Sequence, residues 1–132
     1  MPVAILVDTG ALELLRRRSE KVEQLALRFF PPVICTHVAG EFLYGQIAAN
    51  VSSPSLQQAR EFLESFELFG PGLSTAAIYA RIRSELKAVG RTLPDPDYWI
   101  AAHAIEERMP IVSTDSHFKL IVEVSVYLVP IS

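Results

Sequence analysis

Four acidic residues occupy positions where a carboxylate could do more than solvate a surface: Asp8, Glu41, Asp97 and Asp115. Asp8 and Asp115 follow short apolar runs, in ILVDTG and IVSTD. Asp97 opens a stretch of helical character, PDPDYWIAAHAIEE, and Glu41 lies within THVAGEFLYGQIAAN. Carboxylates gathered in one crevice cannot all stay ionised unless something positive joins them. All-oxygen ligation favours hard cations, Mg²⁺ or Mn²⁺, over zinc, and no His/Cys spacing in the chain suggests zinc. One or two such ions can turn a bound water into a nucleophile and neutralise charge on a phosphodiester, so the chemistry open to these residues is hydrolytic cleavage of phosphate esters. Each acid also has a structural reading. Asp97 can complement a helix dipole, Asp115 can cap the next turn, and Glu41 can pair with an arginine.

The elements that must position these acids are legible from periodicity. Val3 to Val7 and Val33 to Cys35 are unbroken apolar runs, the pattern of strands covered on both faces, and Ile111-Val112 reads the same way. Leu68-Phe69 suggests a short edge strand and Val124 to Val129 a final one. Helices are predicted over Ala11 to Arg17, Glu20 to Phe29, His37 to Asn50 with Thr36 as N-cap, and Leu56 to Phe66 after a Ser52-Ser53-Pro54 loop. Another, capped by Ser74 or Thr75, runs to Val89 and is closed by Gly90. In the stretch from Pro94 to Phe118, Asp95 is the expected N-cap, Pro96 suits the first turn, and Met109-Pro110 stops the helix. On the helical wheel of His37 to Asn50, Glu41 falls among Val38, Phe42, Gly45 and Ala49, which predicts a buried carboxylate in need of a partner. Strands alternating with helices predict a single domain over residues 1–132. The expected fold is a three-layer α/β/α sandwich with a mainly parallel sheet of about five strands and a crevice at the strand ends.

Composition narrows the class. Half of the 132 residues are apolar and 20% are charged, which gives a sizeable core and argues against disorder. The formal net charge of −3 does not advertise a nucleic-acid binder, although a carboxylate cluster at a metal site would mask a basic surface in the total. The single cysteine, Cys35, excludes an internal disulfide, fits a reducing compartment and lies in an apolar run, as a buried thiol does. The N-terminus lacks a basic segment before its apolar run, and no run approaches the ~18–20 apolar residues that span a bilayer. A soluble cytoplasmic protein is expected.

The motifs ILVDTG, AGEFLYG, LPDPDYWIAAHA and VSTDSHF resemble, in order and spacing, the four acidic motifs of the PIN-domain ribonucleases, most of all the VapC-type toxins of bacterial toxin–antitoxin modules. The resemblance covers essentially the whole chain. It implies a metal-dependent endoribonuclease in which Asp8, Glu41, Asp97 and Asp115 hold Mg²⁺ or Mn²⁺, with Thr9 or Ser113 supporting the site through hydroxyl contacts. Ser113 stands where the family usually has threonine, and the hydroxyl is kept. The same resemblance implies an RNA substrate, a small antitoxin covering the acidic crevice, and a homodimer paired through helices. The alternative is a non-catalytic PIN-like module that binds RNA or protein; the intact acid set speaks against it. A phosphotransfer domain of the haloacid-dehalogenase type fails because Gly10 stands where its second aspartate would be.

The remaining polar residues receive plainer expectations. Asp95 is expected to be structural. His103 points away from the Asp97 face and is expected at the surface or in packing. His117 can touch a scissile phosphate or do nothing beyond its turn. Tyr98 and Trp99 are expected in core and rim and Arg16-Arg17-Arg18 at a solvated helix end; Arg81, Lys87 and Arg91 are candidates for an RNA-binding rim, and a solvated helix face explains them as well.

Overall fold

Five short strands, β1 (Ile5–Val7), β2 (Pro32–Cys35), β3 (Glu67–Phe69), β4 (Ile111–Ser113) and β5 (Val126–Leu128), form one sheet in the order β3-β2-β1-β4-β5. Every neighbouring pair is parallel. The computed structural model describes residues 4–29 and 31–130, so Val3, at the start of the first predicted strand, lies outside the described residues. Parallel strands need crossovers, and among the described residues six α-helices supply those from β1 to β4: α1 (Thr9–Arg16), α2 (Glu20–Arg28), α3 (Thr36–Ala48), α4 (Ser53–Glu64), α5 (Leu73–Ala88) and α6 (Asp95–Glu107). A 3₁₀ helix, Ser116–Leu120, follows β4.

All three residues of β1 are buried, as are all of β4 and the last three of β2. Successive strand residues point to opposite faces, so helices must cover both sides of the sheet, which is why these strands read as unbroken apolar runs rather than as alternation. The expected α/β sandwich is therefore the observed fold. Chain order runs outward from β1 through β2 to β3, then returns to the other side of β1 with β4 and β5. The order thus reverses between β1 and β4, and in open parallel sheets the carboxyl ends flanking such a reversal open a crevice. Register places the chemistry there: Val7 lies opposite Val112, so the next residues along each strand, Asp8 and Ser113, emerge side by side.

Helix boundaries follow local chemistry, with several differences from expectation. Asp8 itself caps α1, its Oδ1 accepting from Ala11 N at 2.9 Å. Thr36 is not the cap of α3; the helix begins at Thr36, Cys35 precedes it, and the Thr36 hydroxyl donates instead to Phe69 O at 3.2 Å, tying β2 to β3. The predicted Ser52-Ser53-Pro54 loop is the start of α4, since Ser52 accepts from Ser55 N at 3.2 Å and Pro54 suits a first turn. Neither Ser74 nor Thr75 caps α5: Gly72 does, and Thr75, inside the first turn, accepts from Gly72 N at 3.1 Å. Gly90 ends α5 with φ of 73°, as its type suggests. Pro94, not Asp95, precedes α6, and the helix closes on Arg108 in the left-handed region, before Pro110 would force it to. Asp95 accepts from Arg83 Nη1 at 2.8 Å and from the Tyr79 hydroxyl, so its carboxylate fastens α6 to α5.

Two basic expectations also change. Arg16 is not simply solvated: its guanidinium lies 5.7 Å from the Phe42 ring centroid and 5.6 Å from that of Phe62, while Arg17 and Arg18 are exposed. Arg81 is engaged by Glu85 at 2.8 Å and Glu123 at 2.7 Å, which removes it from a free basic rim. No described helix is long and apolar enough to cross a membrane.

Gly10 marks a close approach beside the crevice. A Cβ there would fall on the Thr114 hydroxyl, one residue before Asp115. Gly10→Ala is expected to destabilise the fold by about 1–3 kcal/mol, the usual cost of overpacking. Thermal denaturation checks this; an unchanged midpoint would mean that Thr114 rotates aside at no cost.

Candidate active site

The crevice is built from four elements. Asp8 directly follows β1, Ser113 ends β4, Asp115 leads into the 3₁₀ helix, and Asp97 lies in the first turn of α6. Asp8 is 6% exposed and Ser113 is fully buried. The Ser113 hydroxyl donates to Asp8 Oδ2 and accepts from Asp115 N at 2.8 Å, joining the ends of both strands. The hydroxyl expected at this position is present and in contact with the first acid. Asp115 uses Oδ1 to accept from His117 N at 2.9 Å, so its capping role is real. Its other oxygen, Oδ2, lies 3.0 Å from His117 Nδ1, which is also 3.5 Å from Asp97 Oδ2. Ligand atoms of Asp97, Asp115 and His117 all fall within 4.8 Å of one another.

Burial pushes the Asp8 carboxyl up to about 6; Ser113 and the Ala11 amide pull it down, and the charges of Asp97 and Asp115 push it further up. Burial also raises Asp97, opposed by its contact with His117 and reinforced by Asp115 and Glu41. The charges of Asp97 and Asp115 thus reach Asp8 and those of Asp115 and Glu41 reach Asp97, and Asp8, buried among them, keeps its proton to a higher pH than a free carboxyl does.

Glu41 departs from expectation. It is exposed, not buried, and its Oε1 accepts from the Thr9 hydroxyl at 3.0 Å. Only Val38 and Phe42 of α3 enter the core; on the Gly45 and Ala49 side, where cover was expected, the helix lies open, with Tyr44 72% exposed. A helical wheel identifies an apolar face but not whether another element lies against it. Glu41 accordingly stands at the rim, reaching the crevice through its pairing with Thr9 and its charge on Asp97.

His117 is the residue that sequence reasoning undervalued. Its signal was its place two residues beyond a strand-end aspartate; what raises its standing is contact with two carboxylates from different elements. His103 resolves to packing, at 1% exposure, and not to the surface. Tyr98 is core, its hydroxyl accepting from Leu93 N at 2.9 Å, and Trp99 is a half-buried rim residue stacked on His37 and Tyr79.

Oxygen donors dominate the cluster, which suits a hard divalent cation, and a cation held there would oppose the rise that burial imposes on the Asp8 and Asp97 carboxyls. Residues 5–123 match the PIN domain family. The chain belongs to the PIN domain family. No curated protein matches it at a significant level. Solved structures similar to this PIN domain include VapBC-1 from nontypeable Haemophilus influenzae, at 18% identity and a TM-score of 0.83, covering 96% of this chain and 98% of that one. VapBC2 from Rickettsia felis, bound to a DNA fragment from their promoter, is similar at 20% identity and a TM-score of 0.82, covering 96% and 99%. VapBC-5 from Mycobacterium tuberculosis, a member of the VapBC family of toxin–antitoxin systems, is 26% identical with a TM-score of 0.70 over 98% and 99%.

Proposed function

We propose that this PIN domain is a divalent-cation-dependent endoribonuclease and the toxin of a toxin–antitoxin pair. The observation that carries the reading is the gathering of acids from β1, β4 and α6 at the point where strand order reverses, with Asp8 pushed up to about 6 in its buried setting. Asp8, Asp97, Asp115 and, from the rim, Glu41 would hold Mg²⁺ or Mn²⁺. When bound, such an ion supplies an activated water and neutralises charge on the phosphodiester.

The chain's own residues do the positioning. Ser113 fixes Asp8 and the Asp115 amide, so the two strand ends hold a constant separation. Thr9 aims Glu41 at the crevice, and His117 bridges Asp97 and Asp115 on the solvent side, where an RNA phosphate would approach. Lys87 and Arg91, both exposed, remain as contributors to an RNA-facing rim.

Similarity to VapBC-5 at 26% identity supports a small antitoxin as partner, covering the acidic crevice. The open side of α3, with Tyr44 72% and Ile47 61% exposed, supports helix-mediated pairing with a second copy of the chain. The toxin reading places the protein in the cytoplasm, in keeping with a free, buried Cys35.

Calorimetry with Mn²⁺ and RNA cleavage on the same samples test the reading. The wild type is expected to bind Mn²⁺ and cleave, and Asp97→Asn to lose both while staying folded. A wild type that binds no divalent ion would make the carboxylates structural and the chain a non-catalytic binding module.

A further inference from the structure

Away from the acids, the structure brings His103 to Cys35 and His37, a pair two residues apart at the β2–α3 junction. Cys35 ends β2, His37 lies in the first turn of α3, and His103 comes from the body of α6. One ligand atom from each falls within 4.8 Å of the others. Independently, His37 Nδ1 and His103 Nε2 are both buried and without a hydrogen-bond partner. A buried imidazole nitrogen left unpaired is costly, and two such histidines clustered with a thiol call for a partner.

We propose that Cys35, His37 and His103 form a second metal site, for a borderline transition metal of the zinc type, that clips the β2–α3 junction to α6. One thiolate and two imidazoles are the donor set such ions prefer, whereas the carboxylate cluster suits harder ions, so the two sites sort cations by softness. Packing holds the ligands in place: His37 stacks on Trp99 at 5.3 Å between centroids, and His103 lies beside Phe69 at 6.3 Å. Burial raises the Cys35 thiol above its usual pKa, and the backbone N–H groups of Val38 and His37, directed at the sulfur, work against that rise, so a bound cation would have to supply the rest. Zinc bonds of roughly 2.0–2.3 Å require the three ligand atoms to draw in by about 1 Å. On binding, the Cys35 thiol releases its proton to solvent and both imidazoles coordinate as neutral ligands. His37 is half-buried, which gives the ion its way in from solvent. Because α3 carries Glu41 and α6 carries Asp97, an ion here would brace the two helices that present acids to the crevice.

Co²⁺ is the probe, added at one equivalent to the chelator-stripped full chain in excess Mg²⁺. The expected result is a thiolate-to-Co²⁺ charge-transfer band in the near ultraviolet, displaced by Zn²⁺, absent in Cys35→Ser and retained in Asp97→Asn. His37→Gln, at the half-buried member, should weaken binding by about 100-fold or more and abolish the Zn²⁺-induced rise in melting temperature, even if Cys35→Ser does not fold. A folded wild type without the band, a band lost in Asp97→Asn, or full affinity in His37→Gln would overturn the proposal. None of these readouts involves RNA cleavage, so the proposal stands or falls separately from the nuclease reading.

Discussion

Asp8→Asn is expected to lower cation-dependent RNA cleavage by on the order of 10³-fold while leaving the protein folded. The substitution keeps the shape of a side chain that is 6% exposed, and an amide oxygen can still accept from Ala11 N, the contact that caps α1. At the other branch the Ser113 hydroxyl, which now donates to Asp8, can turn to accept from the amide and donate instead to Asp115 O, 3.2 Å away. What disappears is the negative charge at the meeting of β1 and β4. Metal-ion catalysis supplies several kcal/mol of charge stabilisation, and each ~1.4 kcal/mol is tenfold in rate, which sets the expected size. Initial rates at saturating Mn²⁺, with circular dichroism on the same samples, give the answer. A variant cleaving within tenfold of the wild type would remove Asp8 from the site.

The metal-free protein is expected to lose about 3 kcal/mol of stability from Asp8 alone as pH rises from about 4 to above 6. Burial raises this carboxyl from 3.8 to about 6, so the folded state holds the proton more tightly than the unfolded chain. The contribution is therefore fully present below the unfolded pKa and is lost as pH climbs through the folded one. Roughly two pH units at ~1.4 kcal/mol each set the magnitude. Asp97 shifts the same way, also through burial, and adds to the trend. Glu106 and Glu123 are held low by hydrogen bonds from Ser74, Thr75 and Arg81, which works in the opposite direction but at exposed positions where solvent screens it. Urea denaturation of wild type and Asp8→Asn across this range isolates the Asp8 part: the variant's profile should be flatter by about 3 kcal/mol. Mn²⁺ should restore wild-type stability near neutral pH, where it replaces the proton, and do little at pH 4. Parallel profiles for the two proteins would show that Asp8 ionises as freely folded as unfolded.

The fold and the candidate site were legible to different degrees, and particular residues show why. The strand cores Ile5–Val7 and Ile111–Ser113 announce themselves because a strand covered on both faces must be apolar throughout, a local rule that needs no knowledge of neighbours. Asp8 and Asp115 were legible for the same reason, as the first acids after such runs. Helix starts were less so. Thr36, Ser74 and Asp95 are all good capping types, yet each turned its side chain to another element: Thr36 to Phe69, Ser74 to Glu106, Asp95 to Arg83. A capping group satisfied by a tertiary partner leaves no mark in the local sequence.

By itself, then, the sequence determined the alternation of strands and helices, the parallel α/β class, the acids at the strand ends and the membership that their motifs announce. Those features depend on period, residue type and order, which are written along the chain. Tertiary structure decided the rest: that Glu41 is a rim residue and not a buried one, that His117 bridges two carboxylates, and that Arg81 is spoken for. It also brought Cys35, His37 and His103 together. Each of these depends on which element lies against which, and that is set by the packing of helices over a twisted sheet, through at least one partner far away in sequence that no local pattern encodes.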